Sequence, residues 1–360
     1  MTWSIGGSSS FQFNFFSRQN VQSTTIALQK AGQEVATGRK ADIYEDLGSR
    51  ASSVMRLRAS EADTQTYMKS NALLGNKLQA MLTSLDSARG RIQAVLETTL
   101  SNATRPQNGA EVLQQDAKAA LESIVATLNI SFNGDHLFSG LRSEVPPLTR
   151  WSETNATTGL SPADAMASIF GGGPVSAADA AAIADQIDAA FNSADTANPN
   201  RNFETTFYGG SPAQTASGQP SKQVNAWVNN GQEVVYGARA NDEPFREALK
   251  GLAMLAVTDV SKMDDAAYAT WMDRVVTSLT KGQEGILQVS ARVGFNQQVV
   301  ETTQTQLTDL SLVRRTQISD YESVDPYEAI TRMQSLETQL QASYQVSARL
   351  SGMSILNYLR

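Results

Sequence analysis

The stretch that most constrains this chain is its C-terminal run, residues 326–360, PYEAITRMQSLETQLQASYQVSARLSGMSILNYLR, whose apolar residues recur at the spacing of a helix that needs partners. Ile330, Met333, Leu336, Leu340, Tyr344, Ser347 and Leu350 advance by threes and fours, a stripe drifting like a heptad seam. Asp325 as cap and Pro326 at the first helical position start it. Charge is sparse, with Gln334, Gln339, Gln341 and Gln345 on outer positions where a solvated helix carries Lys and Glu. After Gly352, Met353, Ile355, Leu356, Tyr358 and Leu359 put apolar groups nearly all round. Burying one such side chain contributes about 2 kcal/mol, while ordering each residue costs about 1–2 kcal/mol. The run is therefore expected to be loose in an isolated chain and to order when other helices cover it, as in an assembly subunit.

The N-terminal end mirrors this pattern. Trp3, Phe11, Phe13, Phe15 and Phe16 read as packing groups, since no interleaved Lys and Arg make them a nucleic-acid platform. A helix is predicted from Ser17 to about Thr37, with Val21, Leu28, Ala31 and Val35 inward and Gly38 as its stop. Residues 41–48 read as an acidic, solvated linker, because the ligand spacing of a calcium loop is absent. Long helical tracts follow over 49–100 and 266–319, the first about 75 Å long at 1.5 Å per residue. Shorter helices are predicted over 111–132 and from Glu243 to about Val257, and a short strand over 137–140.

Between Thr149 and Pro244, Gly, Ser, Thr, Asn and Ala dominate. Helical patches are expected over 161–170 and 176–191, and strand-like runs over 203–208, 223–228 and 233–236, with Asn230-Gly231 as a hairpin turn. Gly171-Gly172-Gly173-Pro174 lacks the Gly-Lys-Ser/Thr ending of a phosphate loop and reads as a turn. Asn155-Ala156-Thr157 fits the N-glycosylation triplet, a frequent chance match.

Composition excludes much catalytic chemistry. There is no cysteine, hence no disulfide, zinc thiolate site or cysteine nucleophile. The single histidine, His136, has no attendant nucleophile or carboxylate pair and is expected to be structural. No catalytic residue, cofactor or metal site is expected, and the chain reads as not an enzyme. A net charge of -7 argues against nucleic acid and anionic membranes as partners. No stretch approaches the ~20 apolar residues of a membrane span, and the first 20 residues lack the features of a secretory signal peptide.

Gln341-Ala342-Ser343-Tyr344, Ala348-Arg349-Leu350-Ser351 and Leu356-Asn357-Tyr358-Leu359 together resemble the C-terminal signature of the bacterial flagellin family of flagellar axial proteins. Val35-Ala36-Thr37-Gly38-Arg39-Lys40, followed by Glu45-Asp46, is similar to the linker after that family's first helix, without the proline that follows there. Gly294-Phe295-Asn296-Gln297 is similar to the region of its C-terminal rod glycine. Gly134, Leu137-Phe138-Ser139-Gly140 and Pro146-Pro147 resemble the hook-associated branch found at the hook-filament junction. The resemblance covers roughly residues 20–148 and 245–360. It implies an extracellular flagellar subunit, exported through the type III apparatus with a flagellar export chaperone and without cleavage. Its implied partners are copies of itself and related axial proteins, with the termini innermost.

The expected fold is mainly α: an elongated helical bundle or coiled coil of paired N- and C-terminal helices with a mixed α+β central insert. The expected division is a terminal assembly helix and linker (1–45), an N-terminal rod (46–148), an outer insert (149–243), a C-terminal rod (244–322) and a second assembly helix (323–360). The expected assembly interface comprises Val21, Leu28, Val35, Ile330, Met333, Leu336, Leu340, Tyr344, Leu350, Met353, Leu356 and Leu359. A junction subunit, a main filament flagellin, and an exported helical adhesin or secretion-needle tip are the competing functional readings.

Overall fold

The computed structural model describes residues 10–102, 104–105, 110–215 and 217–352. The chain is mainly helical, with α1 (Ser10–Thr37), α2 (Ile43–Leu47), α3 (Ala51–Ser101), α4 (Ala110–Leu128), α5 (Pro162–Phe170), α6 (Ala177–Phe191), α7 (Glu243–Val257), α8 (Asp265–Glu322) and α9 (Pro326–Gly352). Two antiparallel hairpins, β1 (Ser131–Phe132) with β2 (Asp135–His136) and β3 (Asn225–Asn229) with β4 (Gln232–Val235), complete it. By contacts the chain forms two compact units, Met1–Thr66 with Thr308–Arg360, and Tyr67–Leu307; α3 and α8 contribute residues to both.

The second unit has one continuous core. Leu78, Met81, Leu85 and Ile92 of α3, Ile124 and Leu128 of α4, Leu252 of α7 and Val275 and Leu279 of α8 are all buried within it. Residues 149–243 feed the same core through Met166, Phe170, Phe191 and Phe203. Trp271 is fully buried, stacks edge-on against Phe170 at 5.4 Å and donates its indole N–H to Thr258 Oγ1 at 2.9 Å, so its one polar atom is satisfied. α5 and α6 begin with capping boxes at Ser161/Asp164 and Ser176/Asp179, each Ser and Asp satisfying one of the other's backbone donors.

Several local expectations change. Residues 137–140 form a turn rather than a strand: Leu137 and Phe138 are buried, and the backbone is satisfied by single long-range bonds, Ala240 N–H to Phe138 O and Ser211 N–H to Ser139 O, both 2.9 Å. Over 203–208, the chain makes a π-helical turn, Phe203–Phe207. Phe203, Thr206 and Phe207 are buried together, a helical i, i+3, i+4 period that no strand provides, and the two rings pack against Phe191 at 5.4 and 5.1 Å. α4 stops at Leu128, and Asn133-Gly134 becomes the tight turn of the first hairpin. The acidic linker contains α2, capped by Asp42 Oδ1, which accepts from the N–H groups of Tyr44 and Glu45 at 3.1 Å.

Gly140 fixes the buried turn. Its φ of +68° favours glycine, and a Cβ there would overlap Ser211 Oγ, which itself accepts from Leu141 N–H and donates to Ser139 O. Gly159 has a similar φ of +70° with nothing near its Cβ position. Gly159→Ala is expected to cost about 1 kcal/mol, the backbone strain alone. Gly140→Ala is expected to cost about 3 kcal/mol or more, strain plus displacement of a buried hydroxyl. Denaturant midpoints of the two variants, compared with the parent, check the difference.

Candidate assembly interface

Those of the expected assembly residues that the structure describes fall on α1 and α9, which run antiparallel inside the first unit. Their register is set where α1 ends. Gly38, at φ +67°, turns the chain so that its carbonyl accepts from Val324 N–H at 3.1 Å, while Lys40 N–H donates to Glu322 O at 2.8 Å. Arg39 and Ser323 complete this antiparallel bridge. α9 then starts at once, Asp325 Oδ1 accepting from Tyr327 N–H at 2.8 Å with Pro326 in the first turn. At the far end, Ser17 and Ser347 hydroxyls meet at 2.9 Å.

Between these two points each helix turns one seam to the other. On α1 it follows Ser17, Val21, Thr24, Leu28, Ala31 and Val35; on α9 it follows Ala329, Met333, Leu336, Leu340, Ser343 and Ser347. Both advance by alternating fours and threes, the spacing of a coiled-coil contact. Ala31 and Ala329 are the most completely buried residues on the pair, each 1% exposed.

Val21, Leu28, Val35, Met333, Leu336 and Leu340 thus lie half-buried on the seam. Ile330 and Tyr344 do not; they point off it and are exposed. Within the single chain, the closely packed helices take the small Ala329 at the seam rather than the neighbouring Ile330. Leu350 falls in the last turn of α9 with its side chain outside the described residues, where Met353, Leu356 and Leu359 lie altogether. Thr24, Ser343 and Ala329 escape an apolar-only reading; the four-three spacing is the signal that finds them.

One face of the terminal helix is therefore covered by the chain's own α1, and the remaining sides of both helices are left bare. Phe15, Phe16 and Ile26 on α1, with Tyr327, Ile330, Tyr344 and Val346 on α9, are large apolar or aromatic side chains in contact with water. An open groove beside the Ser17–Ser347 contact is lined by Phe16, Asn20, Gln339, Ala342 and Val346. This is an unfinished bundle of two helices, suited to receive further helices.

Three buried glutamates tie the N-terminal and C-terminal segments of this unit together. Glu34 accepts from Ala41 N–H at 3.2 Å and lies 3.6 Å from Arg332. Glu322, 2% exposed at its side chain, takes a 2.6 Å bond from Arg58 Nε. Glu61 Oε1 accepts from Ser311 at 2.6 Å and from Gln65 and Arg315 at 2.9 Å. Burial pushes the Glu61 carboxyl upward, but those hydrogen bonds and the Arg315 charge outweigh it and hold the group below its ordinary 4.5.

Among the described residues, no group of three or more His, Cys, Asp or Glu could hold a metal ion, and no helix is long and apolar enough to cross a membrane. His136 donates from Nδ1 to Asn129 O, 2.8 Å away, and its backbone N–H donates to Ser143 O. Asn155 is likewise used internally, its amide bonded to Thr206 O at 3.2 Å and its carbonyl to Thr157 N–H at 2.8 Å.

The N-terminal helical region of bacterial flagellin matches residues 12–143, and the C-terminal helical region matches residues 272–359, together more than half of the chain. The chain belongs to the bacterial flagellin family. It is accordingly a structural subunit of the extracellular flagellum, of a family that self-polymerises, and not an enzyme. A flagellar hook-associated protein from Vibrio parahaemolyticus has a similar structure, with a TM-score of 0.50 and 12% identity over 77% of this chain and 99% of that one. At that identity the likeness speaks for the fold. No curated protein sequence matches the chain.

The flagellin chain should show its Glu61 contacts in acid. A depressed folded pKa gives stability that is present above 4.5 and is lost as pH falls through the folded value. Glu61→Gln is expected to cost about 1–2 kcal/mol at pH 7 and less at pH 3. Hydrogen exchange of the amides in residues 51–66 and 308–322, compared between parent and variant at both pH values, reads the gap.

Proposed function

We propose that this flagellin-family subunit serves at the hook-filament junction, and that it assembles through the face of α1 and α9 left open in the single chain. The observation carrying the assembly reading is that bare face: aromatic and aliphatic side chains from both helices stand in water beside a formed seam. Within the expected interface set, Val21, Leu28, Val35, Met333, Leu336 and Leu340 lie on the seam and Ile330 and Tyr344 stand off it in water, while the Leu350 side chain, Met353, Leu356 and Leu359 lie outside the described residues. Charge supports the same reading. The first unit carries 12 Lys and Arg against 12 Asp and Glu, so the chain's -7 rests wholly on the second, with 17 against 24. Copies meeting through a neutral unit face no net repulsion there.

The junction role rests on the stretch around Leu137-Phe138-Ser139-Gly140 and on the likeness to a hook-associated protein. Related axial proteins above and below would then complete the bundle. Delivery would use the type III export apparatus and a flagellar export chaperone, without a cleaved signal peptide. The alternative within the family is the main filament subunit; an adhesin or needle-tip activity would need no open terminal face.

Immunogold labelling of intact flagella tests the choice. Label confined to a band between hook and filament is expected, and label along the filament would identify a filament subunit instead. Deleting residues 341–360 is expected to leave a soluble, folded second unit that no longer assembles; continued assembly in electron micrographs would remove the terminal helix from the interface. Where assembly is followed by sedimentation, raising ionic strength from about 10 to 150 mM is expected to favour it, because salt screens repulsion between the acidic second units.

A further inference from the structure

The second unit carries an exposed apolar patch that its own core does not use. Strand alternation points Val228 and Val234 of the β3–β4 hairpin inward and Trp227 and Val235 outward. Trp227 keeps 56% of its surface in water and Val235 keeps 48%. Phe295 of α8, 65% exposed, precedes Asn296, which donates from Nδ2 to the Val235 carbonyl at 2.9 Å. On the other strand, Asn71 of α3 donates to Val228 O at 2.8 Å. The indole is thus presented from a hairpin fastened to two helices.

Its area decides what it can hold. Aromatic side chains bury about 150–250 Å² each, so Trp227 and Phe295, more than half exposed, leave on the order of 200–300 Å² to cover, with Val235 adding less. A stable two-protein contact needs about 800 Å² from each partner. The patch is too small to capture a free partner and fits one already held beside it, which in a self-polymerising family is another copy of the same chain. We propose that Trp227, Val235 and Phe295 form a lateral contact onto a neighbouring copy, made once the terminal helices have gathered the copies and raised their effective concentration. This inference rests on the assembly reading above. Trp227 is the anchor of the contact, the residue type that most often dominates an interface.

Full-length chains carrying the photo-crosslinker p-benzoylphenylalanine in place of Trp227, or in place of Ile26 on α1, separate the two ideas. Crosslinked copies from both positions in assembled protein, and none from position 227 in dilute protein, are expected. Crosslinking from position 26 alone, or capture of a different protein at position 227, overturns the lateral contact and leaves terminal assembly standing. Silence at both positions overturns both. Crosslinked copies from position 227 in dilute protein would overturn the dependence on the terminal helices. The double variant Trp227→Ser, Phe295→Ser should raise the concentration needed for assembly about tenfold with unchanged circular dichroism; an unchanged assembly concentration counts against the contact.

Discussion

The first unit depends on a short backbone bridge, in which Gly38 and Lys40 exchange hydrogen bonds with the segment between α8 and α9. That bridge joins parts of the chain far apart in sequence and fixes the register of α1 against α9. Without it the seam would be free to slip by a heptad, since a four-three pattern repeats along both helices. The bonds are to main-chain atoms, so they tolerate side-chain variation, but the turn needs the positive φ of Gly38. Around the bridge, buried Glu34 and Glu322 answer Arg332, Arg39 and Arg58, and Glu61 answers Arg315. Removing one member of such a pair leaves a charge without its partner, so these contacts specify the pairing even where their net stabilisation is modest.

The second unit is held differently. Its core is contiguous and aromatic-rich, with Trp271, Tyr268, Phe138, Phe203 and Phe245 fully buried. The segment 149–243 belongs to that core through its Phe and Met residues; its helices are capped by their own Ser and Asp residues, and its hairpin is held by bonds to α3 and α8. The two units thus divide the work. One is a folded body with a complete core, and the other is a charge-neutral unit whose terminal helices leave large apolar side chains in water.

That asymmetry gives a physical account of assembly by a flagellin-family chain. A complete core folds without help, whereas a two-helix pair with exposed Phe15, Ile26, Tyr344 and Val346 gains stability from each further helix laid against it. Folding of the ends and addition of a subunit then draw on the same buried surface. A small patch such as Trp227 with Phe295 adds nothing to a dilute chain and contributes only after copies are in place.

The long helices, their caps, the hairpin at Asn230-Gly231 and the family itself were legible in the sequence, because periodicity, capping residues and terminal signatures are local properties of the chain. The candidate seam was legible in part. Val21, Leu28, Met333, Leu336 and Leu340 follow from apolar spacing, but Ala329, Thr24 and Ser343 are too small or too polar to register, and Ile330 and Tyr344 are large without being inward. Which of two adjacent residues faces a partner depends on how closely two helices approach, and that distance is set by contacts between segments about 300 residues apart. The turn at Leu137 to Gly140 and the π-turn at Phe203 were settled in the same way. Their local patterns suit strands, and only the places available in an aromatic core, with backbone partners at Ala240 and Ser211 for the first, decided otherwise.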